Sequence, residues 1–339
     1  MKRRAFLANA TAAAALPAFA ASKARAADAI TMFDAHIHLV STDKTKYPQV
    51  TQNNPAQGGA PTPGTAAGPG APPGASVQAG RARPTPTAEA VLGWMTQQNV
   101  GAIAAVQRRG TYGYDNSYIL DSADAHPDKM APVVVLDATA AGTPAELRAL
   151  VAKHGLAGVR LTGGADARGD YPWVASEQAQ KVWQVASDTG IAIDLMYTPP
   201  GHATPALNAI VALAEKFPHT KLVLDHIGWP TVEGAPTYGI DVQFMAIANH
   251  PNIFYKFTTI NLDMLEEGKI PADAFLSRAV SVLGADRIMW GSDMGNSPGN
   301  YEQMVSRVHA AAAGLSDSDR QRVLHNTGKG FFVRGGRKV

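Results

Sequence analysis

The chain has 339 residues, a length that suits one large α/β domain preceded by a short targeting segment. Its formal charge of +2 depends on the first 26 residues, which hold five basic side chains and no acidic one; the remainder has 25 basic residues against 28 acidic ones. A slightly acidic chain without a basic patch argues against a nucleic-acid partner. The absence of cysteine excludes disulfides, thiolate metal ligands and cysteine nucleophiles.

Residues 1–26 are predicted to be an export signal of the twin-arginine type. Arg3 and Arg4 precede a weakly apolar run from Ala10 to Ala21, and Ala24-Arg25-Ala26 fits a cleavage site flanked by small residues. The run is too short for a permanent membrane anchor. A frayed alanine-rich helix is the alternative interpretation. We therefore expect the twin-arginine export machinery as a partner, and a periplasmic location.

The expected domain covers residues 27–335 and contains a low-complexity insertion at 52–86. Between Pro55 and Pro86, 15 of 32 residues are Pro or Gly, and large apolar side chains are almost absent. Such a segment cannot bury enough surface to offset its ordering entropy, so a disordered loop is expected after the first strand. A passive insertion is favoured over a lid.

Eight short apolar runs alternate with amphipathic segments, which predicts a parallel α/β fold. The expected strands are Ile30–Leu39, Gly101–Gln107, Ala131–Asp137, Ala157–Thr162, Ala192–Tyr197, Lys221–Ile227, Ile253–Thr258 and Arg287–Ser292. A helix beginning at Pro86 is expected to run to about Asn99, since Pro favours the first helical position. No Gly-x-Gly-x-x-Gly follows the first strand, which disfavours a dinucleotide fold. The pattern predicts a (β/α)8 TIM barrel.

Polar side chains stand at the ends of three predicted strands, where TIM barrels carry their active sites. His36 and His38 are two residues apart on strand one, so both rings lie on one face, with Asp34 one step deeper as a residue that could orient a ring. His226 closes strand six and Asp293 closes strand eight. Because strands one and eight are neighbours in a closed barrel, Asp293 is expected beside the two histidines.

These segments resemble a known family. Phe33-Asp34-Ala35-His36-Ile37-His38, Asp225-His226-Ile227-Gly228 and Trp290-Gly291-Ser292-Asp293 are similar to motifs of the amidohydrolase superfamily. The likeness is closest to the amidohydrolase-related branch with sugar lactonases, muconolactone-type hydrolases and 2-pyrone-4,6-dicarboxylate lactonase. It runs in order from Thr31 to Phe332 and also includes Asp115-Asn116, Gly158-Val159-Arg160-Leu161 and Asn326.

The resemblance implies a hydrolase that opens a lactone or related cyclic ester of a small organic or sugar acid. It implies that His36, His38 and Asp293 hold one divalent metal, usually zinc, and that Asp293 also moves the proton. His226 would be a catalytic imidazole or a further metal ligand. Zinc lowers the pKa of bound water to about 7 and polarises a carbonyl, and a positioned carboxylate can shuttle the proton.

Two departures from the family pattern concern the metal. Strand five ends without the histidine that many zinc members carry; His202, in the loop beyond it, is a weak candidate ligand, with a surface histidine as the alternative. Strand four carries Arg160 instead of a bridging lysine, which favours a mononuclear site over a binuclear one. The pyrone-dicarboxylate lactonases work without metal, so a metal-free mechanism stays open.

A third departure concerns the substrate. Trp229 stands where the dicarboxylate lactonase has an arginine, which moves the expected substrate away from dicarboxylates. Arg160 is the best candidate for an anion contact, because guanidinium binds carboxylates as a planar fork. Tyr197, Gln107 and Asn116 are further candidates for substrate binding; for Gln107 and Asn116, ordinary loop capping is the alternative.

Two other functions compete with lactone hydrolysis. One is metal-dependent, non-oxidative decarboxylation of an aromatic or unsaturated acid, which some zinc members of the branch perform. The other is ligand binding by an exported barrel with a decayed site. The expected partner in each case is a small molecule, and the sequence carries no signal for an oligomeric state.

Overall fold

The computed structural model describes residues 30–50, 81, 84–198, 204–334 and 337–338. The predicted export signal, most of the 52–86 insertion and His202 lie outside these residues. Within them, no helix has the length and apolar character that crossing a membrane requires.

Eight parallel strands form a single sheet in which each strand pairs with the next along the chain. They are β1 Met32–His38, β2 Val100–Val106, β3 Met130–Val135, β4 Gly158–Gly164, β5 Ala192–Thr198, β6 Leu222–Leu224, β7 Ile253–Thr258 and β8 Ile288–Gly291. Consecutive parallel pairing with helical crossovers is the arrangement of a TIM barrel. The predicted fold class is therefore confirmed.

The ends of the sheet meet just beyond β8. Ile37 of β1 forms a parallel bridge with Met294. The Asp293 N–H donates to the His36 carbonyl at 2.7 Å, and the His38 N–H donates to the Met294 carbonyl at 2.8 Å. The first and last strands are thus joined at the carboxyl end of the barrel, which is where the predicted site residues lie.

Helices cover the outside of the barrel, and their positions follow the amphipathic segments. They are α1 Ala88–Gln97, α2 Arg109–Tyr112, α3 Ser117–Ala125, α4 Thr143–His154, α5 Glu177–Thr189, α6 Thr204–Lys216, α7 Val242–Ile247, α8 Thr259–Glu267, α9 Ala272–Leu283, α10 Tyr301–Ala311, α11 Asp317–Gln321 and α12 Thr327–Phe331. A 3₁₀ turn at Asp225–Gly228 follows β6, a π-helical turn at Arg322–Asn326 joins α11 to α12, and β9 Val333–Arg334 pairs with β10 Arg337–Lys338.

Three of the differences from the sequence expectation have a clear physical cause. Helix α1 begins at Ala88 instead of Pro86, because Thr87 is the N-cap and its side chain accepts from the Ala90 N–H. Strand β6 ends at Leu224, three residues early, since Asp225–Gly228 turns away from the ladder. Helix α8 follows β7 directly and was not predicted; it is almost entirely buried and therefore lacks the amphipathic pattern that marks a surface helix.

The interior of the barrel is built in two tiers. Strand alternation directs Ala192, Val223, Phe254 and Met289 inward, where they pack in one apolar cluster with Phe332. Two residues further along the same strands, on the same face, the chain carries Asp194, Asp225, Lys256 and Gly291. A polar tier thus lies directly above an apolar floor, and it separates that floor from the mouth.

Gly291 makes room for His36 in the upper tier. A Cβ atom at position 291 would lie 2.5 Å from the His36 Cβ and 3.0 Å from its backbone nitrogen, closer than side chains approach one another. Because the obstacle is backbone and a fixed Cβ, the strain cannot be relieved by a rotamer change. A glycine is therefore required where β8 passes the first histidine.

We predict that Gly291→Ala lowers the free energy of unfolding by about 1–3 kcal/mol, the usual cost of overpacking a core. Gly93→Ala is the matched control, because a Cβ there meets nothing within 4 Å and the position lies inside α1. That control should gain about 0.5–1 kcal/mol. Urea denaturation measures both, and equal stability of the two variants would contradict the packing argument.

Candidate active site

His36, His38 and Asp293 converge at the barrel mouth with the spacing of metal ligands. The two Nε2 atoms lie 3.2 Å apart. Asp293 Oδ1 lies 3.3 Å from His36 Nε2 and 3.4 Å from His38 Nε2. All three side chains are buried. The convergence predicted from neighbouring strands one and eight is thus present.

The surroundings of Asp293 and His38 direct these three atoms toward one point. Asn296 and Ser297 both donate to Asp293 Oδ2, at 3.0 and 2.7 Å, while the buried Oδ1 has no hydrogen-bond partner among the described residues. His38 Nδ1 lies 2.9 Å from the Val106 carbonyl, which can only accept. The His38 proton is therefore held on Nδ1, and the Nε2 lone pair is left free.

The donor set fits a small divalent cation. Ligand atoms around a tetrahedral zinc with bonds of about 2.0–2.1 Å stand about 3.3–3.4 Å apart. The three measured separations, 3.2, 3.3 and 3.4 Å, match that spacing. An unpartnered buried carboxylate oxygen is costly on its own, and a cation would satisfy it. Two nitrogens and one oxygen would leave a fourth position open for substrate or water.

Burial and charge set the protonation of the site. Burial lowers the pKa of both His38 and His226 to about 4, so both rings are neutral near pH 7. Burial alone would raise the pKa of Asp293, but its contacts with His36 and His38 hold it well below the usual range. Burial and Lys256 lower the pKa of His36, yet Asp225 and Asp293 outweigh them and leave it raised.

Beneath this group lies a buried set of charges that sequence reasoning did not assemble. Lys256 Nζ lies 2.9 Å from His36 Nδ1, 2.5 Å from Asp194 Oδ2 and 3.1 Å from Asp225 Oδ1. Arg160 binds Asp225 Oδ2 through Nε and Nη2, at 2.9 and 2.6 Å. Burial raises the pKa of Asp225, but Lys256 and Arg160 together hold it well below its usual range. The carboxylate is therefore ionised.

Asp225 also provides an acceptor for the other side of His36. Its Oδ1 lies 3.1 Å from His36 Nδ1 and 3.1 Å from Lys256 Nζ. A lysine ammonium has only donors, so a proton on His36 Nδ1 must be directed to Asp225. With the proton on that side, the Nε2 lone pair is available to a metal.

His226 is held by a strained turn. It and the two following residues, Ile227 and Gly228, have positive φ values of 54°, 53° and 66°. Left-handed backbone costs roughly 1–2 kcal/mol for each residue other than glycine. Asn261 repays part of that cost by donating to the His226 carbonyl at 2.8 Å. Such strain is typical of functional sites.

A hydroxyl on the next strand orients the His226 ring. Thr258 Oγ1 lies 2.7 Å from His226 Nδ1, and the His226 ring centroid is 5.8 Å from that of His36. Sequence reasoning missed Thr258 and Asn261, although Thr258 is the last residue of β7 and Asn261 lies three residues beyond it. The carboxyl end of a strand is the position at which TIM barrels place site residues.

Two of the predicted substrate-binding residues lie beside this site, and their role stays a prediction. Arg160 uses Nε and Nη2 on Asp225, and its Nη1 makes no hydrogen bond to a described residue. The Trp229 ring is 4.7 Å from the His226 ring, and its buried Nε1 has no partner in the described part of the chain. Both side chains offer donors at the mouth.

The remaining candidates bond to the protein itself. Tyr197 donates to the Gly228 carbonyl at 2.6 Å and so supports the His226 turn. The Asn116 side chain donates to the carbonyls of Tyr114 and Val135 and accepts from the N–H of Val135, the last residue of β3. The Gln107 side chain donates to the carbonyls of Gly113 and Asp115. Asp34, expected to orient an imidazole, accepts instead from the His36 and Ser292 N–H groups and from Tyr301.

Comparison with known proteins places this barrel in a family. The sequence profile of the Amidohydrolase family matches residues 33–331, and the chain belongs to that family. It is therefore an amidohydrolase-family enzyme, and the resemblance found in the sequence is confirmed.

Individual relatives are distant. L-fucono-1,5-lactonase of Burkholderia ambifaria is 24% identical over 183 residues, which span 53% of this chain and 60% of the lactonase, less than two thirds of its length. A 2-pyrone-4,6-dicarboxylic acid hydrolase from Pseudomonas putida superimposes with a TM-score of 0.64 at 20% identity, covering 89% and 97% of the two chains. A dihydroxybenzoic acid decarboxylase from Polaromonas, with bound manganese, has a TM-score of 0.58 at 15% identity, with 89% and 96% covered. These structural likenesses show the fold.

We predict that His38→Ala weakens zinc binding at least tenfold, since loss of an outer partner of a metal ligand already costs about 10–100-fold. His309→Ala is the control, because His309 is exposed on α10, away from the mouth. Competition with a chromogenic chelator measures both affinities. Equal affinity of the His38 variant and the control would contradict the ligand assignment.

Proposed function

We propose that the protein hydrolyses a lactone, or a related cyclic ester, of a small organic or sugar acid, with one divalent metal, zinc, held by His36, His38 and Asp293. The observation that carries this proposal is the buried Asp293 Oδ1. It is ionised, has no hydrogen-bond partner among the described residues and faces two imidazole nitrogens. A hydrolytic site needs such an atom, because water must lose a proton as it attacks.

The relatives support the choice of ester chemistry. The sequence relative is an L-fucono-1,5-lactonase, and one of the solved structures with the same fold is a 2-pyrone-4,6-dicarboxylic acid hydrolase. Trp229 favours a hydroxylated ring over a dicarboxylate, because an indole offers one N–H and a flat apolar face where an arginine would offer a charged fork.

The chain's own residues supply the proton transfers. A divalent metal in this site supplies polarisation of the ester carbonyl and a more acidic water. Asp293 Oδ1 accepts a proton from the attacking water, while Asn296 and Ser297 keep the carboxylate oriented through Oδ2. As the acyl–oxygen bond of the ring breaks, the same oxygen returns the proton to the alkoxide. One water is consumed, and a hydroxy acid is released.

His226 and Arg160 position the substrate in this scheme. The Thr258 hydroxyl engages His226 Nδ1, so the neutral ring presents Nε2 to the substrate. Arg160 Nη1 makes no bond to a described residue, although the rest of the guanidinium is fixed on Asp225. A fixed guanidinium with a free Nη1 amino group suits an ester or carboxylate oxygen, because no side-chain entropy is lost when it binds.

We predict that the zinc-loaded protein turns over five- or six-membered lactones of sugar acids, L-fucono-1,5-lactone among them, and that Asp293→Asn lowers kcat/KM by about 10²–10⁴-fold. Acid release, followed with a pH indicator, measures both. Removing the metal with a chelator should abolish turnover, and added zinc should restore it.

The same preparation separates the other functions. Release of CO2 from 2,6-dihydroxybenzoate without any lactone turnover would establish a decarboxylase in place of a lactonase. Full lactone turnover by metal-free protein would support ester hydrolysis and contradict the proposed role of the metal. Binding of lactone without turnover of any substrate would indicate a binding protein.

We predict that Thr258→Val lowers kcat about tenfold or more, because His226 loses the hydroxyl that fixes its ring and a misplaced group costs heavily in rate. Thr259→Val is the matched control: Thr259 is also buried, but its Oγ1 has no hydrogen-bond partner among the described residues. Thr258→Ser retains the hydroxyl and should recover most of the rate. Equal rates for the two valine variants would remove Thr258 from the site.

A further inference from the structure

The Lys256 ammonium is fully buried among three polar atoms of other side chains. Asp194 Oδ2, His36 Nδ1 and Asp225 Oδ1 lie 2.5, 2.9 and 3.1 Å from Nζ. An ammonium has three N–H bonds and no lone pair, so it donates to the two carboxylate oxygens, while the proton on His36 Nδ1 is directed to Asp225. We call His36, Asp194 and Asp225 the lower cage.

The lower cage also has the composition of a metal site. One nitrogen of His36 and one oxygen each of Asp194 and Asp225 lie within 4.8 Å of one another, all in buried side chains. Imidazole and carboxylate are ligands that divalent metals take. Lys256 Nζ lies among these atoms, in the place that an ion would occupy.

The charges in this layer balance without a further cation. Asp194 and Asp225 carry the negative groups, and Lys256 and Arg160 the positive ones. Buried charge is tolerated only when it is compensated, so adding a dication to this set would leave an excess of positive charge at low dielectric.

We call His36, His38 and Asp293 the upper group; it shares His36 with the lower cage. His36 Nε2 faces His38 and Asp293, whereas His36 Nδ1 faces Lys256 and Asp225. An imidazole with a ligand-like contact on each nitrogen could bridge two cations. In this chain the lower of the two positions holds an ammonium supplied by β7.

We propose that Lys256 is a built-in cation that fills the lower cage, and that it thereby limits the barrel to one metal ion and fixes His36 from below. The limit to one metal rests on the proposed metal at the upper group. The support that Lys256 gives to His36 and to the two carboxylates is independent of that metal.

The first test replaces the ammonium by one from solution. Lys256→Ala removes three carbon atoms and one nitrogen, the same number of heavy atoms as n-propylammonium contains, so this small cation can fill the space that the truncation leaves. We expect the variant to melt several degrees below the wild type, because an uncompensated buried carboxylate is strongly destabilising. We expect n-propylammonium, but not the uncharged 1-propanol, to raise its melting temperature, with no such difference in the wild type.

The second test counts metal ions. Saturated with zinc and freed of excess, the wild type should hold one ion per chain and Lys256→Ala should hold two, by elemental analysis. A single ion in both proteins, or two ions in the wild type, would overturn the limit to one metal. An equal effect of propylammonium and propanol on Lys256→Ala would overturn the role of the ammonium.

A charge-balanced double variant tests the pairing of Lys256 with Asp194 even if Lys256→Ala does not fold. Lys256→Met combined with Asp194→Asn removes one charge of each sign, so the double variant should melt above both single variants and hold one zinc. If the double variant is no more stable than the less stable single one, the charge pairing fails. None of these readouts involves lactone turnover, so failure of the proposed reaction would leave them intact.

Discussion

Two hydrogen bonds between β1 and the segment after β8 hold both the barrel and the site together. The Asp293 N–H donates to the His36 carbonyl and the His38 N–H to the Met294 carbonyl. These bonds close the gap between the first and last strands, and the residues that make them are the ones whose side chains converge at the mouth. Asp34 strengthens the same seam, because it accepts from the backbone of both partners, at 3.0 and 2.8 Å. Opening of this seam would separate the carboxylate from the imidazoles, so the site is tied to the closed barrel.

The site lies above a layer of buried charged side chains, which is destabilising unless the charges are paired. In this layer Asp194 and Asp225 are paired with Lys256 and Arg160. Burial raises the pKa of Asp194, and the Asp225 charge raises it further, while Lys256 and Arg160 act in the opposite direction. The apolar floor around Phe332 shields the charged layer from water on its lower side. Lys256 Nζ lies 5.3 Å from the centre of the Phe332 ring. Charges in such a place interact strongly, because water does not screen them. A layer of this kind holds His36 in one orientation, which a flexible or hydrated environment would not do.

The sequence predicts those features of the fold and the site that depend on residue spacing within a strand and on the order of the strands. Strand alternation, the two-residue step from His36 to His38 and the adjacency of strands one and eight lead directly to the observed group. The sequence does not reveal the burial of Lys256, because a lysine on a strand is ordinarily exposed. Its partners Asp194 and Asp225 come from other segments, and only the closed barrel brings them together. The end of β6 was wrong for a related reason: the turn at His226 is stabilised by Tyr197 and Asn261, which are 29 or more residues away in sequence. Helix α8 escaped prediction because burial on all sides removes the amphipathic period.

Strand β5 ends without a histidine, but two of its residues support the site in other ways. Its inward residue, Asp194, binds Lys256, and Tyr197, near the end of the strand, donates to the Gly228 carbonyl of the His226 turn. The strand thus contributes one charge to the layer below the mouth and one hydroxyl to the support of the His226 turn. Because Gly228 has φ +66° and a Cβ there would stand 3.1 Å from the Tyr197 hydroxyl, the turn, the tyrosine and the glycine depend on one another. Trp229, the next residue, is placed over His226 by the same turn, so the residue expected to select the substrate is positioned by a strand that supplies no metal ligand to the upper group.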